Sequence, residues 1–169
     1  MYQIKINSTT GTEIISTADV KSYARIDTTA DDTLIGQMIT QARIVLENYI
    51  SRDIVAKNRT YYRSFIDDRF EVPFAPVTTI TSITVEDTTA AHTVHGLDKS
   101  IIELSESPAK DMEMVYITTG LSDSAIKEAL LQFVSTLYEN RVDFVEGKTI
   151  QKIPTSSKEL LSSYKALFI

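Results

Sequence analysis

The sequence predicts an α+β fold, mainly α, in which a small helical bundle carries a β-rich insertion between its second and third helices. Residues 34–49 and 126–138 each repeat apolar side chains at the helical period. Between them, residues 60–118 change to short β-branched and aromatic runs broken by turn formers. The two helical stripes are each other's natural packing partners, so the sheet reads as an excursion from one interrupted helical unit. A chain of 169 residues is long enough to bury a core without staples. We therefore expect one domain over 1–169, with a helical core at 16–58 and 120–169 and the β-rich insertion at 59–119.

The elements follow in order. Ser16 and Asp19 form a capping box, with Ile15 and Val20 placed as a hydrophobic staple, which predicts a short helix from Thr17 to Arg25. A second box at Thr29 and Asp32 opens a long helix whose buried face is predicted as Leu34, Ile35, Met38, Ile39, Ala42, Val45, Leu46 and Tyr49. Strands are predicted around Tyr61–Phe65, Ile80–Val85, Ile101–Leu104 and Met112–Ile117, in a small antiparallel sheet. Helix returns after Gly120, stapled by Leu121 and Ile126 around a Ser122 cap. It carries Ile126, Ala129, Leu130, Phe133, Val134, Leu137 and Tyr138 on one stripe as far as Arg141.

The C-terminal region is predicted to hold a capped, apolar helix. Ser156 and Glu159 make a capping box after Pro154, and Leu160, Leu161, Tyr164, Leu167 and Phe168 recur on one face. That stripe needs a partner, either its own core or another molecule, and the sequence leaves both open. Before it, Phe144, Val145, Ile150 and Ile153 are apolar without any period, too greasy for an idle linker. Arg141 reads either as favourable charge at a helix C-terminus or as a group that orients the segment after it or a neighbouring subunit.

Composition excludes several functions. The net charge is −6 and the pI about 4.9, which disfavours gripping a phosphate backbone. Residues 59–119 carry ten Asp and Glu against five Lys and Arg, and thus nearly all the acidic excess. Cysteine is absent, which removes disulfides, thiolate nucleophiles and cysteine zinc sites. The N-terminus has no basic start with an apolar run, and no stretch reaches membrane-spanning length, so a soluble, unprocessed protein without a membrane partner is expected.

No catalytic, cofactor or metal site is expected. His92 and His95 stand three apart in a strand-like run and would point to opposite faces, a poor arrangement for shared ligation. Asp31-Asp32 and Asp67-Asp68 fall at a helix start and in a turn, where aspartate is favoured for capping. The glycines form no phosphate-cradling loop, and no nucleophile motif is present. The chain is therefore not expected to be an enzyme.

Several stretches, in order, resemble the head-tail connector proteins of tailed phages, also called adaptor or head-completion proteins. They are Ser16 to Asp27, Asp31 to Ile35, Ala42-Arg43, Leu46 to Tyr49, Val72 to Val77 leading to Ile80 to Ile83, Val115 to Gly120, Leu137 to Arg141, and Ile153-Pro154 before Leu160 to Lys165. The resemblance implies a structural virion protein, made in the host cytoplasm and located in the neck. It implies a ring, commonly of about twelve subunits, that joins the portal protein to the tail or neck completion protein. Double-stranded DNA would pass through the channel without specific binding, which suits an acidic chain. It also implies that C-terminal elements hold the portal. Arg141, Phe144, Val145, Ile150, Ile153, Pro154, Leu160, Leu161, Tyr164, Leu167 and Phe168 are accordingly the candidate portal or subunit contacts. The alternative is a monomeric globular binding module or assembly chaperone of phage morphogenesis.

Overall fold

The computed structural model describes residues 1–140 and 156–166. In chain order the elements are β1 (Tyr2–Thr9), α1 (Thr17–Ala24), α2 (Asp32–Ile50), β2 (Lys57–Ile66), β3 (Arg69–Glu71), β4 (Val77–Val85), β5 (Thr88–Thr89), β6 (His92–His95), β7 (Ile101–Leu104), β8 (Ala109–Thr118), α3 (Ser124–Glu139) and α4 (Ser156–Leu160), with a 3₁₀ turn at Ser162–Tyr164. The fold is α+β but not mainly α: 34% of the described residues are helical and 34% lie in strands. Nor is the sheet confined to an insertion between the second and third helices, because β1 pairs along its length with β2. The alternation of Tyr2, Ile4 and Ile6 with Gln3, Lys5 and Asn7 is a strand signal. As a largely exposed edge strand, β1 shows it only weakly.

The chain divides into two compact units, a β unit holding Met1–Thr12 and Ser51–Leu121 and a helical unit holding Glu13–Ile50 with the described part of 122–165. In the β unit, one antiparallel sheet runs β1-β2-β8-β4-β5 and a second runs β3-β7-β6. Their inner faces share a core: Tyr61 and Ile66 of β2, Ile83 of β4 and Met112, Met114 and Tyr116 of β8 pack with Phe70 of β3 and Ile102 and Leu104 of β7. Glu86-Asp87 connects β4 to β5 with φ of 48° and 61°, the two-residue hairpin geometry that matches strand twist.

Two chain passages are fixed beside residues 54–56. Thr10 and Gly11 N–H groups donate to the Ala56 carbonyl at 2.9 and 3.0 Å, and Leu121 N–H donates to Ile54 O at 3.0 Å. Gly120 is required there, since a Cβ would stand 2.6 Å from the Ile54 carbonyl oxygen.

In the helical unit α1 begins as expected: Ser16 Oγ accepts from Asp19 N–H at 3.2 Å and Asp19 Oδ2 accepts from Ser16 N–H at 2.7 Å. These bonds lower the Asp19 pKa. Other helix starts differ from expectation. For α2, Asp31 holds the cap position, its carbonyl accepting from Ile35 N–H at 2.8 Å. Thr29 lies outside the helix, and Asp32 instead binds Lys21 at 2.9 Å. For α3 the cap is Asp123 rather than Ser122, with no side-chain capping bond. Ser156 does not cap α4; its hydroxyl meets Gln132 Oε1 at 3.0 Å.

The helices α2 and α3 pack together, as do α3 and α4. The buried face of α2 is Ile35, Met38, Ile39, Ala42, Arg43, Leu46, Glu47 and Ile50. It is turned from the predicted stripe, so that Val45 faces out and Arg43 and Glu47 face in. Only part of the α3 stripe is fully buried, namely Ile126, Ala129, Leu130 and Val134. Phe133 is half-buried.

Leu46 is 0% exposed, so Leu46→Ala should cost about 2–5 kcal/mol in urea unfolding, whereas Phe133→Ala should fall toward the lower end. Gly120→Ala should destabilise by about 1–3 kcal/mol through the clash with Ile54 O, read by the same measurement.

Candidate assembly surfaces

The β unit is held by a buried charge cluster. Asp53, 0% exposed, accepts from Lys57 Nζ at 2.9 Å, from Arg59 Nε and Nη2 at 2.8 and 2.7 Å, and from Thr118 Oγ1 at 2.7 Å. Burial pushes the Asp53 pKa up, but the Arg59 hydrogen bonds and charge, the Thr118 hydroxyl and the Lys57 charge outweigh it and hold the group below its ordinary value. Arg59 also stacks on the Phe74 ring, 3.7 Å from its centroid. Tyr116, buried and raised in pKa by that burial, donates to the Pro73 carbonyl at 2.8 Å. These contacts tie the start of β2, the end of β8 and the loop at 73–74 into one rigid piece.

Two clefts open on this unit. One, of about 520 Å³, is lined by Tyr2, Ile4, Tyr61, Pro73 and Phe74, with Arg63 and Glu71 among its polar groups. The other, of about 440 Å³, holds Tyr62, Thr84 and four carboxylates: Glu86, Asp87, Asp111 and Glu113. The Tyr62 hydroxyl donates to Asp111, which raises the tyrosine pKa. Four of the ten carboxylates of residues 59–119 thus gather at one exposed face of the larger sheet and its β4–β5 turn.

The histidines do not converge on one site. His92 Nδ1 lies 3.3 Å from the Ala90 carbonyl, and His95 Nε2 lies 2.8 Å from Glu103, which also binds Arg69 at 2.9 Å. Asp31 accepts from the Tyr138 hydroxyl at 2.7 Å. Asp67 and Asp68 form the turn between β2 and β3. Among the described residues no group of three or more His, Cys, Asp or Glu side chains is placed to hold a metal ion, and no helix is long and apolar enough to cross a membrane.

Of the candidate contact residues, Arg141, Phe144, Val145, Ile150, Ile153, Pro154, Leu167 and Phe168 lie outside the described residues. The other three have different environments. Leu161 is 0% exposed, Tyr164 is half-buried and Leu160 is 40% exposed. The predicted continuous C-terminal helix is not formed, since α4 ends at Leu160 and a 3₁₀ turn follows. Ser162 contributes to the break: its hydroxyl donates to the Glu159 carbonyl at 2.8 Å and competes with helical hydrogen bonding. Lys158 and Lys165 reach the Tyr49 ring of α2, 5.7 and 5.2 Å from its centroid. With Leu161 buried, residues 156–165 are seated within the helical unit while Leu160 is left exposed.

Sequence reasoning did not anticipate the Asp53 cluster or the outer face of α2. Asp53, Lys57 and Arg59 are close in sequence, but Thr118 is 65 residues from Asp53. On α2, Ile44 and Val45 are 46% and 40% exposed.

Asp53→Asn should destabilise the protein by about 3–5 kcal/mol, because Arg59 and Lys57 would both lose the buried carboxylate they bind. Since the folded pKa is depressed, the stabilisation from Asp53 is complete above its unfolded value of about 3.9 and is lost as pH falls through the folded value. Urea midpoints of the two proteins should therefore converge as pH is taken below about 4.

Comparison with known proteins agrees with the fold. The chain is similar over 99% of its length to a chain in the neck of an empty gene transfer agent (GTA) particle computed with C6 symmetry, with TM-score 0.75, 15% identity and 97% of that chain covered. A chain from the neck of the native GTA particle computed with C12 symmetry aligns with TM-score 0.72 and 14% identity, over 99% of this chain and 97% of that one. A chain of the native GTA virion gives TM-score 0.72 and 16% identity with the same coverage. No curated protein matches by sequence. The model of the head completion protein family matches residues 13–166, nearly the whole chain, and the protein belongs to that family.

Proposed function

We propose that this chain is a structural protein of the virion neck. There it forms a ring that joins the portal to the tail or neck completion protein and extends the DNA channel. The observation that carries this is the family match over residues 13–166, to which the full-length fold likeness to chains of C6 and C12 GTA necks adds support. Its role is one of assembly rather than catalysis.

The electrostatics suit a conduit. The four carboxylates on the outer face of the larger sheet repel phosphate, so a duplex passing such a face would not be held. Rigidity suits it too, because the Asp53 cluster and the shared core of the two sheets give the β unit a fixed shape. In this proposal Arg141, Phe144, Val145, Ile150, Ile153, Pro154, Leu167 and Phe168 supply portal or subunit contacts, together with exposed Leu160 and the accessible side of Tyr164. Leu161 supports them from within its own subunit.

Inactivating the protein should yield DNA-filled heads without tails, and particles made with it should contain six or twelve copies, after the symmetries of the similar necks. Tailed, infectious particles without the chain, or a folded monomer that acts during assembly and is absent from finished particles, would overturn the proposal. Leu160→Asp should leave urea stability within about 0.5 kcal/mol, its side chain being exposed, while reducing co-purification with the portal.

A further inference from the structure

The second helix buries Arg43 and Glu47 along with most of its apolar residues, yet leaves two apolar side chains, Ile44 and Val45, on its outer face. Its charged side chains are Asp32, Arg43 and Glu47. Asp32 is bound to Lys21. Arg43 and Glu47 are only 6% and 2% exposed and bind each other at 3.0 Å, and Arg43 also holds Glu13 at 2.9 Å. The outer face carries Thr33, Gln37, Gln41, Ile44, Val45 and Asn48, all exposed and none charged. On a helical wheel these six fall within a stripe about 120° wide that runs for more than four turns. A solvent-facing helix normally carries Lys and Glu on such a stripe. Branched apolar side chains amid uncharged amides, with charge excluded, are instead the composition of an interface centre.

We infer that this α2 stripe is the surface through which one copy of the chain contacts the next. The inference rests on the ring proposed above and adds which face closes it. Like charge selects the occupant. Each copy carries −6, so identical chains repel wherever carboxylates meet, and they approach at least cost where a surface carries no charge. Nucleic acid is a poor occupant, because the stripe offers no Lys or Arg. In a cyclic ring of more than two subunits the contact is heterologous, so the stripe meets a different surface of its neighbour rather than another α2 stripe.

The absence of native cysteine allows a direct test. Gln41→Cys, labelled with a benzophenone maleimide and assembled into particles, should on irradiation give a product of twice the 18.9 kDa chain mass. The insertion should map outside α2 of the second chain. A product joining the chain to a protein of different mass, or joining α2 to α2, would overturn the inference. So would the absence of any cross-link in particles that hold six or more copies, a result that leaves the ring itself intact. A single copy per particle would instead remove the ring, and the inference with it. As an independent measurement, Ile44→Glu combined with Val45→Glu should keep the circular dichroism and urea midpoint of the parent yet lower incorporation into particles at least tenfold. A folded double variant that incorporates normally would likewise overturn the assignment.

Discussion

The β unit depends on one buried carboxylate. Asp53 stands just after the chain enters this unit at Ser51, and it is satisfied by Lys57 and Arg59 at the start of β2 and by Thr118 at the end of β8. An ion this deeply buried is tolerated only when fully hydrogen-bonded, so its partners are held in place. Next to it, Gly11 and Gly120 let the chain pass close against Ala56 and Ile54. Where the chain leaves the first strand, enters β2 and exits β8, it is therefore fixed within one small region. Arg59 extends the same constraint through the Phe74 ring to the loop before β4.

Charge is distributed according to use. Inside each unit it organises structure, through Asp53 with its cations in one and Arg43 with Glu13 and Glu47 in the other. Outside, carboxylates gather on the larger sheet around Tyr62 and Asp111, while the outer face of α2 has none. An acidic surface and a charge-free surface on one subunit fit the proposed ring, in which a subunit avoids DNA and packs beside its own copies.

Much of the secondary structure was legible because local physics encodes it. The Ser16/Asp19 box places α1 correctly, and the apolar periods of α2 and α3 identify two helices that do pack together. Four strands were placed within a few residues of their observed positions, since β-branched runs between turn formers leave little alternative. What was missed follows a pattern. β1 is an exposed edge strand whose identity depends on pairing with residues 48 to 61 positions away. The face of α2 was misjudged because Arg43 and Glu47 look like surface residues until partners bury them. The C-terminal helix ends early where the Ser162 hydroxyl competes for the Glu159 carbonyl.

The sequence by itself determined the local conformations, the absence of cysteine chemistry and the acidic balance, all properties of residues or of short windows. It also carried the family likeness that the match over residues 13–166 supports. Tertiary structure alone decided the equal share of sheet, the deep burial of Asp53, the seating of Leu161 and the outward turn of Ile44 and Val45. Each of these depends on which distant segment removes a side chain from water and supplies its hydrogen bonds. That pairing is a property of the packed chain and not of any window within it.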